Sequence, residues 1–210
     1  MLVAFNFDGS LAESDGYALL GEEAGVADEM TAISEQARAG ELTLAESLEQ
    51  RADRLEGLPE IEMKAAFDRV ALRPGAGDLV ADLQANDNYV AVISTAPERA
   101  VELAFDQAGV DIDTVAAPWL TIENNALTGD ITGRLLDETK GEMLGSVATQ
   151  TEIGLDETLA VGSDANDRSM LEAAADGVCF DPAAGIEQHC ETTVTTVERL
   201  RDQFAERNLI

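Results

Sequence analysis

The sequence predicts an α/β fold: a Rossmann-like parallel sheet core with an inserted helical cap. Three observations predict it. From Arg73 onward, short apolar runs alternate with helical stretches, the rhythm of a parallel sheet with helices on both faces. Residues 14–70 hold three or four helical stretches in succession with no strand between them. An apolar run, Leu2–Phe7, precedes that block, so the block reads as an insertion behind strand one. Residues 1–13 and 71–210 are therefore assigned to the core and 14–70 to the cap; at roughly 150 residues per domain, the 210-residue length suits one domain with an insertion.

The elements follow in order. Leu2–Phe7 and the following Asp-Gly read as a buried strand ending in a loop. Met30, Ile33 and Ala37 share a helix face after a cap at Asp28, and Gly40 stops that helix. Thr43-Leu-Ala-Glu46 is a capping box ahead of the stripe Leu44, Leu48 and Leu55. Pro59 suits the start of another helix, carrying Ile61, Met63 and Phe67. Residues 74–86 read as a helix, Tyr89–Ile93 as a buried strand, and 97–108 as a helix closed by Gly109. Residues 114–117 form a weak strand, and Asn124-Asn125 between apolar runs predicts a hairpin, with Trp119 packing near it. A helix over about 138–153, a strand at 158–161, a helix over 167–175, strands at 178–180 and 192–195, and a helix over 197–207 complete the chain.

Charge narrows the function. Thirteen Lys plus Arg against 42 Asp plus Glu give −29, and only two of the cations, Lys64 and Lys140, are lysine. Scattered cations supply no phosphate-binding face for nucleic acid, and an anionic membrane surface is excluded for the same reason. The acids divide evenly, 20 in residues 1–100 and 22 in 101–210, so there is no acidic tail. Such a lysine-poor surface resembles cytosolic proteins of salt-loving microbes, where salt screens self-repulsion. Met1–Phe5 has no basic flank and meets polar Asn6, so no secretory signal is expected and the expected location is cytoplasmic. Cys179 and Cys190 are too few for a disulfide framework, and Cys179 reads as a buried strand residue.

In an open α/β sheet, ligands bind beyond the carboxyl ends of the strands. Polar residues stand at such ends here: Asn6-Phe7-Asp8-Gly9-Ser10, Ser94-Thr95, and Gly162-Ser163-Asp164-Ala165-Asn166-Asp167, with Lys140 opening a helix. The order and spacing of these segments resemble the haloacid dehalogenase superfamily, specifically its phosphoserine phosphatase branch. Glu23–Val26, Leu55–Pro59, Leu127–Asp130 and Thr139–Leu144 resemble that branch too, so the likeness spans essentially the whole chain.

The resemblance implies a reaction. In this family a first carboxylate attacks phosphorus to give an aspartyl-phosphate, and a second, two residues on, protonates the leaving oxygen and then activates water. Mg²⁺ is held by the first carboxylate, a backbone carbonyl and acids of the last motif, and a lysine and a hydroxyl help balance the phosphoryl charge. Asp8 thus matches the acid/base residue. Ser10, Ser94, Thr95 and Lys140 match the phosphate-binding set. Asp15 and Arg51 match the grip on the substrate's ammonium and carboxylate. Asn166 and Asp167 close the last motif, and the metal position falls on Asn6, Asp8 and Asp167, with Ser163 and Asp164 beside them. The implied partner is a small phosphorylated metabolite such as phosphoserine, with Mg²⁺ as cofactor.

Three positions depart from the pattern. The nucleophile position is Asn6, a neutral amide that cannot form an aspartyl-phosphate. Ser163 stands where the family has a metal-binding Asp, followed by Asp164 where it has Gly. Thr95-Ala96 replaces the glycine pair after Ser94. Removing two carboxylates should lower affinity for a hard divalent cation sharply. Two readings therefore stand: a phosphoserine-phosphatase-like hydrolase with impaired activity, or a non-catalytic relative that binds a phosphorylated metabolite or a protein partner. His189, the only histidine, lies in the loop 186–190 and receives no catalytic role.

Overall fold

The computed structural model describes residues 1–38 and 41–210, so the helix stop expected at Gly40 lies outside the described residues. Strand β1 (Leu2–Phe5) is followed by four helices: α1 (Gly16–Ala24), α2 (Ala27–Arg38), α3 (Leu44–Asp53) and α4 (Glu60–Phe67). The alternating part then runs α5 (Ala76–Ala85), β2 (Tyr89–Ile93), α6 (Glu98–Ala108), β3 (Thr114–Ala116), the hairpin β4 (Trp119–Glu123) and β5 (Ala126–Thr132), and α7 (Lys140–Gln150). It closes with β6 (Thr158–Gly162), α8 (Arg168–Ala173), β7 (Asp176–Phe180), β8 (Thr192–Val194) and α9 (Val197–Glu206).

The main sheet has six strands in the order β3-β2-β1-β6-β7-β8, and every pairing is parallel. All four residues of β1 are buried, as expected for a central parallel strand covered on both faces. The period-two alternation splits the core. Val3, Phe5, Val90, Val92, Leu159 and Val161 face one layer, where Leu20, Leu48 and Phe67 of the inserted helices also pack. Leu2, Ala4, Ala91, Ile93 and Ala160 face the other, against Leu144 of α7 and Met170 of α8.

Several local readings hold. Thr43 and Glu46 form the expected capping box, Gly109 closes α6 in the left-handed region, and Asn124 and Asn125 turn the hairpin with φ of 51° and 63°. The hairpin rests on the loop before α4, where Gly57 N–H donates to Leu127 O (2.8 Å) and Leu127 N–H to Leu58 O (2.9 Å).

Others need correction. Asp28 sits inside the first turn of α2, which begins at Ala27, so it answers the helix dipole rather than capping the end. Ile61 is 73% exposed, because the buried face of α4 is Met63, Ala66 and Phe67. Trp119 is 58% exposed, since β4 belongs to a two-stranded sheet without further strands. Cys179 is fully buried in β7 as expected, but it also pairs with Cys190 in a disulfide that closes the loop between them. Among the described residues, no helix is long and apolar enough to cross a membrane.

Most acids lie on the surface, and ion pairs such as Arg69–Glu22 and Arg168–Glu172 are solvent-exposed, so each adds little stability. The uncompensated charge of −29 therefore opposes folding until salt screens it. The expected outcome is a melting temperature that climbs steeply as KCl is raised from ~0.1 to ~3 M, where the screening length falls to about 3 Å or less. Thermal denaturation followed by circular dichroism checks this, and a flat curve would contradict it.

Candidate active site

Strand β1 is where the sheet order reverses: β2 and β3 lie to one side, β6, β7 and β8 to the other. A crevice therefore opens at its carboxyl end, and Asn6 is the first residue beyond the strand. Its backbone N–H still donates to Val161 O (2.8 Å), which pins it between β1 and β6.

Below the crevice lies a buried polar network. Lys140 Nζ donates to Asn6 Oδ1 (2.9 Å) and to Asp167 Oδ1 (2.5 Å), and Ser94 Oγ donates to Asn6 Oδ1 (3.2 Å). Asp167 Oδ2 accepts from the backbone N–H groups of Ser163 (2.7 Å) and Asp164 (3.1 Å). Asn6 Nδ2 donates to Asp8 O (2.7 Å) and Ser163 Oγ (3.3 Å). An ammonium has no acceptor lone pair, so Lys140 dictates which end of the Asn6 amide faces it: the oxygen. The nitrogen must then face Asp8 and Ser163. Local chemistry supports the arrangement. A capping box of Thr139 and Glu142 starts α7 at Lys140. Gly9 (φ 80°) carries the chain past Ser163, whose Oγ would lie 3.0 Å from a Cβ at that position.

Above the network is a cavity of about 450 Å³, lined by Asp8, Asp15, Arg51, Thr95, Asp164 and Asn166 among others. Its far wall comes from the disulfide-closed loop, through Ala183–Ile186, Gln188 and His189. Arg51 reaches the cavity from α3, its guanidinium 5.3 Å from the Tyr17 ring centre and one Nη donating to Ser34 Oγ (3.1 Å). Asp8 Oδ1, Ser10 Oγ and Arg51 Nε are buried without a hydrogen-bond partner among the described residues. Burial, and secondarily the Asp15 carboxylate, push the Asp8 carboxyl well above the usual carboxylate range, against the opposing pull of Lys140 and Arg51.

The residues singled out in the sequence thus fall into two groups, with Ser10 apart. Asn6, Ser94, Lys140, Ser163 and Asp167 join in the buried network, with Asp8 entering through its carbonyl. Asp8, Asp15, Arg51, Thr95, Asp164 and Asn166 line the cavity. Ser10 is buried beneath the first loop, its N–H bonded to Phe7 O (3.1 Å). Asp15 proves to be the N-cap of α1, accepting from the N–H groups of Tyr17 and Ala18, which leaves its second oxygen for the cavity. Asp164 spends one oxygen on Asn166 N–H (2.8 Å). Sequence reasoning missed Arg73, which donates to Gly9 O (3.2 Å) and lies over Phe180 (5.1 Å), and it missed the loop that forms the far wall; neither carries a motif.

The donor chemistry does not fit the expected Mg²⁺. An ion at the family position would need oxygens from residues 6 and 163 and the Asp8 carbonyl, but Asn6 presents one N–H to that carbonyl and the other to Ser163 Oγ. Among the described residues, no group of three or more His, Cys, Asp or Glu side chains could hold a metal.

Comparison with known proteins agrees with this frame. The family model for haloacid dehalogenase-like hydrolases matches residues 3–172. The phosphoserine phosphatase of Halobacterium salinarum is 42% identical over 199 residues, covering 95% of this chain and 94% of its own. That of Methanocaldococcus jannaschii is 33% identical over 180 residues, covering 85% of this chain and 84% of its own. Among solved structures, a phospho-aspartyl intermediate analogue of phosphoserine phosphatase superposes with a TM-score of 0.87 at 29% identity, covering 97% of each chain. A substrate-bound phosphoserine phosphatase complex also gives 0.87 at 29% identity, covering 98% of this chain and 97% of its own.

Two outcomes follow from the network. Lys140→Met leaves the Asp167 carboxylate buried without its cation, which should lower stability by about 3–5 kcal/mol and the melting temperature by roughly 10 °C. Thermal denaturation in high KCl checks it. For Asp8, the folded state binds the proton more tightly than the unfolded state does. Its contribution to stability is therefore present below the ordinary carboxylate pKa of about 4 and is lost as pH rises through the higher folded value. Asp8→Asn should be more stable than native protein at neutral pH, and the gap should close near pH ~4. Chemical denaturation across that range measures it, and a pH-independent gap would contradict the assignment.

Proposed function

The chain belongs to the haloacid dehalogenase-like hydrolases, in their phosphoserine phosphatase branch, and we propose that it binds a phosphorylated small molecule of the phosphoserine class without hydrolysing it through an aspartyl-phosphate. One observation carries the reading: the Asn6 side chain, at the position of the family's nucleophile, is an amide whose oxygen already accepts from Lys140 and Ser94. A neutral amide oxygen with both lone pairs engaged has no electron pair for phosphorus. The groups that recognise a ligand are better kept than the group that attacks it. Lys140 lies beside Asn6, and its bonds to Asn6 and Asp167 leave it a third N–H suited to a phosphate oxygen. Arg51, with a buried Nε left unbonded, suits a carboxylate, and the second oxygen of Asp15 suits an ammonium. A zwitterionic phosphorylated amino acid satisfies all three. A cytoplasmic site of action accords with such a ligand and with the salt-adapted surface charge.

The test pairs binding with turnover. O-phosphoserine should bind by calorimetry in high KCl. Hydrolysis should run at least ~10³-fold slower than in a phosphatase with an aspartate nucleophile, because the covalent route is gone. Turnover in the ordinary phosphatase range of about 1–100 s⁻¹ would overturn the reading, as would mass spectrometry showing residue 6 as aspartate in active material.

A further inference from the structure

We propose that Asn6 and Ser163 together replace the family's divalent cation, leaving a phosphomonoester site that works without metal. This deepens the reading above by naming what holds the site together. It rests on hydrogen-bond counting and on charge.

The Asn6 amide has two protons, and two acceptors face them: Asp8 O at 2.7 Å and Ser163 Oγ at 3.3 Å. Ser163 Oγ in turn lies 3.5 Å from the same Asp8 carbonyl. The three groups close a triangle in which the carbonyl's lone pairs are directed at protein hydrogens. A cation placed against Asp8 O would meet N–H and O–H groups. Reversing the amide would turn its oxygen toward the ion but would face its N–H₂ with the Lys140 ammonium, donor against donor. The Asp167 carboxylate is also committed: one oxygen accepts from Lys140 and the other from two backbone N–H groups.

Charge leads to the same conclusion. Lys140 and Asp167 are buried and cancel, while Asn6 and Ser163 are neutral, so these four side chains sum to zero. Carboxylates at residues 6 and 163 would bring the sum to −2, which one divalent ion neutralises. The amide and the hydroxyl reach the same total with no ion. Adding Mg²⁺ would leave these four side chains and the ion at +2 where the carboxylate form would be neutral, a charge that a low-dielectric site disfavours.

The decisive measurement titrates Mn²⁺ alone, as a paramagnetic stand-in for Mg²⁺, into native protein in ~2 M KCl, where binding to the acidic surface is screened. No saturable site is expected up to about 10 mM, whereas Asn6→Asp with Ser163→Asp should create one of at least ~10-fold higher affinity. In ¹⁵N spectra of native protein, the Asn6 side-chain amide signals should be exchange-protected and unmoved by Mg²⁺. A saturable Mn²⁺ site on native protein that broadens those signals would overturn the proposal, even if the double variant fails to fold. O-phosphoserine affinity should change less than ~3-fold between Mg²⁺ and EDTA. Binding that requires Mg²⁺ would sink the metal-free site while leaving ligand recognition intact. No phosphoserine binding under either condition would sink the functional reading, and the Mn²⁺ result would still decide this one.

Discussion

A lysine ammonium taken out of water must find acceptors, and at Lys140 that demand organises the carboxyl end of the sheet. Its side chain is 1% exposed, and its partners are Asp167 and Asn6. Removing either partner would strand a charge or a donor in a medium that cannot solvate it. The demand propagates outward. Asp167 must approach closely, and Gly162 permits it, since a Cβ there would lie 2.5 Å from Asp167 Cβ. Helix α7 must start at Lys140, and the Thr139–Glu142 box starts it there. It must also pack tightly on α8, and Gly141 allows that where a Cβ would fall 2.4 Å from Ser169 O. Asn6 must show its oxygen to the ammonium, which sends its nitrogen to Asp8 and Ser163. One buried cation thus sets strand end, helix start and amide orientation together.

Much of the frame was legible beforehand, for identifiable reasons. Buried parallel strands are continuous apolar runs, and β2 matched its expected bounds residue for residue. The capping box at Thr43 and the Asn-Asn turn carry backbone information in one or two side chains, so they read directly. Ile61 is two residues from Met63, about 200° round α4, so it falls on the face opposite Met63, Ala66 and Phe67, and only its apolar type suggested burial. The other misses share a cause: they depend on a partner distant in sequence. Trp119 is exposed because its hairpin has no sheet behind it, a fact of topology. The Cys179–Cys190 pair depends on how the loop after β7 returns to the sheet.

The candidate site divides along the same line. Residues at strand ends and helix starts were legible because the fold itself delivers such positions to one crevice. The charged residues of the cap were legible as types but not in their engagement. Asp15 had to be seen capping α1 before one oxygen could be counted as spent, and Arg51 had to be seen over Tyr17 with Ser34 holding its tip. The far wall of the cavity was invisible, since residues 183–189 carry no motif and are held there by the disulfide and the β7–β8 connection.

Asn6 and Ser163 make physical sense as a pair more than as two separate losses. With an amide at 6 and a carboxylate at 163, the buried network would carry an unbalanced negative charge beside the Asp8 carbonyl. With a carboxylate at 6 and a hydroxyl at 163, Lys140 would face two carboxylates, and the Asp8 carbonyl would lose its Asn6 donor. Either mixed state is out of balance by one charge, which a divalent ion overcorrects and the protein alone leaves uncorrected. The two balanced states are both carboxylates with the ion and both neutral residues without it. Asn6 and Ser163 are the residue types of the second. The hydrogen bond from Asn6 Nδ2 to Ser163 Oγ is the direct sign that the two residues meet each other's needs. A buried donor for an anion is compatible with that state, because Lys140 uses two of its three N–H groups on Asn6 and Asp167 and keeps the third.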